Sequence, residues 1–251
     1  MLLRDRTVLV TGASSGIGLA ALRVFAEEGA AVFGVARHVE PAAAEVRELQ
    51  GSGYRAEIAS VDITKPGELD AYVDAIERDH GPLDGAFNNA AVGQDAYSID
   101  EIPEQVFDEV MAINVKGTWL CLRLEIRRMR PRGRGSIVNT SSIAGIRGIP
   151  GLAAYAASKH AILGLTRAAA LDAAPWGIRI NCLCPGTTRT PMMERQMRTR
   201  VGGESATRAR IPLDRFATPA EQANAAAWLL SDKASFVTGE ELVVDGGSTV
   251  R

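Results

Sequence analysis

Tyr155 and Lys159 stand four residues apart in a stretch of helical period, so a phenol and an ammonium share one helix face. A tyrosine titrates near 10 and is a poor acid or base at neutral pH. An ammonium beside it favours the phenolate, and a second positive charge nearby would push the same way. Bringing the phenol into the neutral range requires about 4 kcal/mol of differential interaction, which partly desolvated charges can supply. The pair could then pass a proton to or from a substrate oxygen. By itself the spacing is weak evidence, because an ordinary exposed helix would absorb it. Two further side chains give it company. Ser142 follows a strand that closes Asn139-Thr140-Ser141-Ser142, where its hydroxyl can donate to an oxygen on which charge develops. Ser141 beside it reads as a turn or N-cap residue. Asn114 lies inside a predicted helix over 103–130, an unfavourable position for an amide that is not making a local hydrogen bond or serving a site.

A second constellation follows the first strand: Thr11-Gly12-Ala13-Ser14-Ser15-Gly16-Ile17-Gly18, then an apolar helix. Gly12 permits the sharp exit from the strand, Gly16 lets backbone approach a ligand, and Gly18 lets helix pack close to sheet. Ser14, Ser15 and Ile17 complete the turn. The free N–H groups and positive dipole end of the helix that starts here suit a pyrophosphate. The spacing is G-x-x-x-G-x-G rather than GxGxxG, and its strand–turn–helix context at the first βα junction points to a dinucleotide. The second strand ends Val35-Ala36-Arg37-His38, with no carboxylate to receive a ribose 2′-OH and one guanidinium able to pair with a 2′-phosphate. That favours NADP over NAD; a surface arginine at a strand end is the alternative.

The elements that must position these groups alternate. Strands are predicted at 7–11, 31–36, 56–61, 84–88, 135–140, 178–183 and 240–244, and helices near 16–28, 40–50, 66–80, 103–130, 153–174 and 219–231. The first, second, fifth and seventh strands are apolar through most of their length, as in a sheet covered on both faces. This pattern predicts an α/β fold: one Rossmann-type doubly wound domain over 1–251, its parallel sheet of about seven strands carrying helices on both faces. Residues 187–216 have no convincing period and follow a strand's carboxyl end, so they are a candidate substrate-binding lid, with a plain surface excursion as the alternative.

Composition narrows the partners. The chain has 251 residues, 46% of them hydrophobic, and a net charge of −2, so nothing global attracts nucleic acid or an anionic membrane. The cluster Arg123, Arg127, Arg128, Arg130, Arg132 and Arg134 reads as a solvated face, with an anion or nucleic-acid surface as the alternative. No apolar run approaches the ~20 residues of a membrane span. Cys121, Cys182 and Cys184 lack metal-ligand spacing; Cys182 and Cys184 take alternate positions of a predicted buried strand. The odd count and absence of a signal peptide predict a reducing, cytoplasmic setting and no metal.

Taken together, the blocks resemble the short-chain dehydrogenase/reductases in family order: TGASSGIG at 11–18, Asp62 in VDI, NNAA at 88–91, Asn114 in INVKG, Ser141-Ser142, YAASK at 155–159, Pro185-Gly186 and FVTGEELVVDGG at 236–247. The resemblance implies an NAD(P)-dependent oxidoreductase that interconverts a secondary alcohol and a ketone by hydride transfer. It implies a catalytic tetrad in which Tyr155 exchanges the proton, Ser142 polarises the substrate oxygen, and Lys159 holds the nicotinamide ribose and depresses the tyrosine pKa with help from the oxidised nicotinamide. Asn114 would keep a water that relays protons. It also implies that Asp62 and Ile63 meet the adenine, Asn88 the adenosine ribose side and Thr188 the carboxamide, and that the assembly is a homotetramer built on the long helices and the C-terminal segment. Two positions depart from the pattern: Ala91 replaces the usual glycine, and Ser15 replaces the basic residue of many NADP users, leaving cofactor choice on Arg37. A catalytically silent NAD(P)-binding regulator is the alternative function. The expected pocket walls, Val92 to Ala96, Ile143 to Leu152 and 187–216, include Ile143, Ile146, Ile149, Leu152, Met192 and Met193, which suits a hydrophobic or alicyclic carbonyl compound. Arg147, Arg189 and Arg195 leave an anionic one open.

Overall fold

The computed structural model describes residues 1–199 and 203–250, with the backbone alone at Arg198 and Thr199. Among these residues seven strands form one parallel sheet: β1 Thr7–Thr11, β2 Ala31–Ala36, β3 Ala56–Ser60, β4 Gly85–Asn88, β5 Gly135–Thr140, β6 Ile178–Pro185 and β7 Glu241–Val244. Their order is β3-β2-β1-β4-β5-β6-β7, so the winding reverses between β1 and β4. An open α/β sheet forms its ligand crevice beyond the carboxyl ends of the strands at such a reversal.

Strand parity divides the core. Val8 and Val10 of β1, Val32 of β2 and Val138 of β5 face one layer, with Leu22 and Phe25 of helix α1 (Gly16–Glu27) and Ala223 and Leu230 of α9 (Pro219–Leu230). Leu9, Phe33, Val35 and Ile137 face the other, with Val73 and Ile76 of α3 (Pro66–His80), Leu122 of α5 (Thr118–Met129) and Ala170 of α6 (Ala153–Ala173). Each fully buried Leu, Val or Phe contributes about 1.5–3 kcal/mol, and the polar residues that the interior strands do bury, such as Asn88, Ser136, Asn139 and Asn181, are hydrogen-bonded. The seventh strand departs from expectation. β7 is an edge strand, partly exposed along its length, and its apolar residues are not sandwiched.

The predicted helix 103–130 forms as one continuous run with a change of pitch: α4 Glu104–Val110, a π-helical turn over Met111–Gly117, then α5. A π turn accommodates one extra residue and is common beside functional sites. Residues 187–216 are not without structure. They carry α7 Pro191–Thr199 and α8 Gly203–Arg208, while 200–202 lie outside the described residues. The remaining helix is α2, Ala43–Gly51.

The arginine cluster is largely occupied. Arg128 meets Asp70, Asp74 and Glu77, Arg130 lies 4.0 Å over the Trp176 ring, and Arg132 and Arg134 reach Asp84 at 2.7 and 3.1 Å. Asp84 is buried at the start of β4 and also accepts from the Thr7 N–H at 3.1 Å. Asp84→Ala strands a buried N–H and loosens Arg132, so it is expected to lower stability by about 3 kcal/mol. The check is a lower urea midpoint at unchanged slope.

Candidate active site

A cleft of about 660 Å³ opens where the winding reverses. Gly12, Ser14, Ser15, Gly16 and Ile17 line its floor, Arg37, Asp62 and Ile63 one end, and Ser142, Tyr155 and Lys159 the other; Thr188 joins them from the loop after β6. Twelve predicted positions therefore meet in one cavity.

The floor is built for close backbone approach. Gly12 and Gly16 both have left-handed φ, +67° and +55°. A Cβ on Gly12 would lie 2.6 Å from Ala90 Cα. Ser15 is the N-cap of α1 but makes no side-chain capping bond, so the helix start is left open towards the cleft. Gly18 does not line the cavity. A Cβ there would overlap the Gly12 carbonyl oxygen, so this glycine seats the helix against the turn. Together with the Thr140 hydroxyl, buried at the cleft wall without a partner, this donor-rich, side-chain-free cradle fits a dinucleotide pyrophosphate and its sugars. Asp62 accepts from the N–H and hydroxyl of Thr64 at 2.9 and 2.8 Å; burial works against its charge, but these bonds and Arg37 leave its carboxyl below the usual range. Thr188 is buried and donates to the Gly186 carbonyl at 3.0 Å.

At the other end, Lys159 is 3% exposed and donates from Nζ to the Thr140 carbonyl at 2.9 Å, with Nζ 5.5 Å from the centre of the Tyr155 ring. Ser142 hydrogen-bonds the Tyr155 phenol, and its oxygen accepts from the Ala144 N–H at 3.1 Å. Here the expectation for the serine pair is reversed. Ser142 is the N-cap of the short turn 143–145, whereas Ser141 donates to the Lys159 carbonyl at 2.8 Å and locks α6 to the strand end. The electrostatics are also corrected. Burial pushes the phenol up to about 12, opposed by the Ser142 bond, and pushes the Lys159 ammonium down to about 8. The side chains alone do not depress the tyrosine.

Besides Gly18, two predicted residues lie outside the cavity. The side chain of Asn88 points into the core, donating to Glu125 at 2.9 Å and Asn139 at 3.1 Å, and so does not meet a ribose. Strand parity turns it away from the cleft. Asn114, 1% exposed in the π turn, uses its amide on protein partners: it accepts from the Val92 N–H at 2.8 Å and donates to the Val92 carbonyl and Ser158 Oγ, both at 3.0 Å. It pins one cavity wall to α6.

Sequence reading missed three residues. Asn89 donates to the Thr11 and Gly12 carbonyls at 3.4 and 3.3 Å, bracing the glycine turn. Thr11 Oγ1 accepts from the N–H groups of Asn89 and Ala90, both at 3.1 Å. Gln94 accepts from the Tyr155 N–H at 2.7 Å and so caps α6, whose own N-cap residue, Leu152, has no acceptor. The available signal was that missing cap: a helix starting Gly151-Leu152-Ala153 must borrow an acceptor from elsewhere.

A doubly wound parallel sheet, a glycine cradle for a dinucleotide, and a half-buried phenol and hydroxyl beside a buried ammonium define a nicotinamide-dependent oxidoreductase. The chain belongs to the short-chain dehydrogenase/reductase family. Residues 12–249 match a family model described as enoyl-(acyl carrier protein) reductase. Among curated relatives, 2,5-dichloro-2,5-cyclohexadiene-1,4-diol dehydrogenase of Sphingobium indicum is 44% identical, covering 98% of both chains. A-factor type gamma-butyrolactone 1'-reductase (1S-forming) of Streptomyces virginiae is 44% identical over 99% of this chain and 97% of that protein. The crystal structure of levodione reductase superimposes with a TM-score of 0.93 at 36% identity, covering 99% of each chain. The protein is an NAD(P)-dependent oxidoreductase that interconverts a secondary alcohol and a ketone. These relatives carry the names of dehydrogenases and reductases, and none supports a silent regulator.

Proposed function

We propose that the substrate is a compact, largely apolar ring alcohol or ketone and that Tyr155 is the acid/base. The observation that carries the reading is the convergence of Tyr155, Ser142 and Lys159 in one cleft with the glycine turn, under a roof containing Ile149, Leu152, Met192 and Met193. The ring-bearing names of the diol dehydrogenase and the lactone reductase support the same substrate class. The bound nicotinamide supplies or accepts the hydride. Ser142 holds the substrate oxygen and the phenol together, Tyr155 donates the proton in reduction and takes it in oxidation, and Lys159 stabilises the phenolate and fixes the cofactor ribose. Asn114 holds the wall at Val92 and α6 in register, in place of keeping a proton-relaying water.

Residues 187–216 act as the lid. Its two ends are clamped together at the Thr188–Ala217 bridge, and Arg189 ties to Glu204 of α8 at 2.6 Å. Between these ties Met192, Met193, Thr207 and Ile211 face the cleft. The 1–251 chain works as one dinucleotide-binding domain, in a homotetramer. Phe107, Trp119 and Val243, all more than a third exposed, and the fully exposed Phe236 supply apolar surface on the long helices and the C-terminal segment. A cytoplasmic setting is supported by three unbridged, buried thiols. No helix among the described residues is long and apolar enough to cross a membrane.

NADP is the preferred cofactor, on the strength of Arg37 at the adenosine end. Initial rates on a panel of cyclic alcohols and ketones, with NAD and NADP in parallel, test both halves; turnover of acyclic or anionic compounds alone would overturn the substrate class. Arg37→Ala should lower kcat/KM with NADP by roughly thirtyfold, about 2 kcal/mol for a lost charge-assisted bond, and leave NAD within about threefold. Equal losses with both cofactors would remove Arg37 from the choice.

A further inference from the structure

Behind the cleft floor lies a polar chain that the reaction does not use. Asn88 of β4 and Asn139 of β5 face each other in register, and Asn88 Nδ2 donates to Asn139 Oδ1 at 3.1 Å. Asn139 Nδ2 donates to Thr166 Oγ1 of α6 at 2.9 Å, and Asn88 Nδ2 also donates to Glu125 Oε2 of α5 at 2.9 Å. Glu125 and Asn139 are fully buried, and Asn88 is 3% exposed. Two atoms of this chain have no partner: Glu125 Oε1 and Asn88 Oδ1. They are the second oxygen of the carboxyl and the oxygen of the amide it already touches. An ionised carboxylate would leave both acceptors bare in a dry core, whereas a proton on Oε1 gives the pair the donor it lacks.

We infer that Glu125 is held as a neutral carboxylic acid whose Oε1–H donates to Asn88 Oδ1, and that this acid–amide pair positions the cofactor turn and Lys159. The positioning half rests on the function proposed above; the protonation half does not. The residue after Asn88 is Asn89, which braces the Gly12 carbonyl, and the residue after Asn139 is Thr140, whose carbonyl holds Lys159 Nζ. Turning either amide therefore moves a backbone that carries part of the site. Asn139, through Thr166, fixes the same strand end to α6 two turns beyond Lys159.

The surroundings offer nothing to stabilise a charge. β4 and β5 present the two asparagine amides, and α6 presents the Thr166 hydroxyl. One turn back on α5, Cys121 is a buried thiol pushed up by desolvation, and it brings no positive charge. α3 packs here through Leu69, Val73 and Ile76, while its Asp70, Asp74 and Glu77 turn outward to Arg128. These groups bring no cation, and burial pushes the Glu125 carboxyl up to about 8 from an ordinary 4.5. A folded-state value above the unfolded one means that its contribution to stability is complete below about 4.5 and is lost as pH rises through about 8.

Glu125→Gln places an amide N–H where the acid carries its O–H and removes the titration. Infrared pH-difference spectra of the wild type should show a protonated carboxylic acid at neutral pH that is absent from E125Q and disappears at alkaline pH. The wild-type melting temperature should fall relative to E125Q as pH rises from about 4.5 to about 8, and the difference should level off above that. The ratio of wild-type to E125Q cofactor Kd should rise about tenfold between pH 7 and pH 9, with the titration of Lys159, common to both, cancelling in the ratio. A carboxylate band at pH 7, assigned by its loss in E125Q, overturns the neutral acid. A present acid band with a flat Kd ratio overturns the positioning role. The infrared and binding measurements do not depend on turnover, so a wrong reaction assignment leaves them readable; if E125Q does not fold, the wild-type spectra still test the acid, and Glu125→Met, which also removes the titration, takes its place in the Kd ratio.

Discussion

Tyr155→Phe is expected to reduce kcat by 10²–10⁴-fold while leaving the cofactor Kd within about threefold. The aromatic ring fills the same volume, and the backbone N–H remains capped by Gln94, so the fold of α6 should survive. What disappears is the phenolic hydroxyl beside Ser142, the proton carrier proposed above. The direction of the pKa shifts adds a sign. Burial pushes the phenol up to about 12, so it is a ready proton donor for ketone reduction at neutral pH. Alcohol oxidation needs the phenolate, and that state depends on positive charge nearby, from Lys159 and from the oxidised cofactor. Because burial brings Lys159 down to about 8, its ammonium form dominates below that pH and is lost above it. Pre-steady-state hydride transfer measured in both directions checks the prediction. If Tyr155→Phe turned over every accepted substrate at the wild-type rate, the proton would be moving by another route.

Gly18→Ala is expected to cost about 1–3 kcal/mol of stability and to weaken cofactor binding by roughly tenfold or more. The added methyl would overlap the Gly12 carbonyl oxygen and come within 2.7 Å of Asn89 Nδ2. Neither can yield cheaply. Gly12 is wedged between the helix start and Ala90, and the Asn89 amide is bonded to the Thr11 and Gly12 carbonyls. The helix must lift from the sheet, and the turn that faces the pyrophosphate deforms with it. Gly67→Ala is the control: a Cβ there meets nothing within 4 Å and sits in the first turn of α3, where alanine should be neutral or mildly stabilising. Calorimetric Tm and cofactor titration on the two variants separate a local clash from a general glycine effect. Equal behaviour of the two would remove the wedge argument.

Most of the cofactor end was legible because its signal is local. A glycine turn between a β-branched strand and an apolar helix specifies its own geometry within eight residues, and Tyr155 and Lys159 are one helical turn apart. The errors fall where the answer depends on parity or on a remote partner. At a strand's carboxyl end, successive side chains point to opposite sides. The motif Asn88-Asn89 therefore does not say which amide enters the core, and Ser141-Ser142 does not say which hydroxyl caps the turn that follows. Gln94 and Glu125 were invisible for a different reason. Their partners, Tyr155 and Asn88, are 61 and 37 residues away, and only the folded sheet brings them together. The apolar run of β7 misled because an edge strand and a covered strand share the same composition.

The π turn at Met111–Gly117 has a consequence for what lengths of chain this helix accepts. A π turn is a helix carrying one residue too many, and straightening it to α geometry would release that residue. Deleting a single residue there would let the turn close to α geometry with the helix faces beyond it unchanged, whereas deleting one from the α-helical part that follows would rotate everything beyond it by about 100° around the axis. After a deletion of the second kind Asn114 and Glu125 could no longer both keep their partners. The helix is thus adjustable in length at the π turn and phase-locked beyond it.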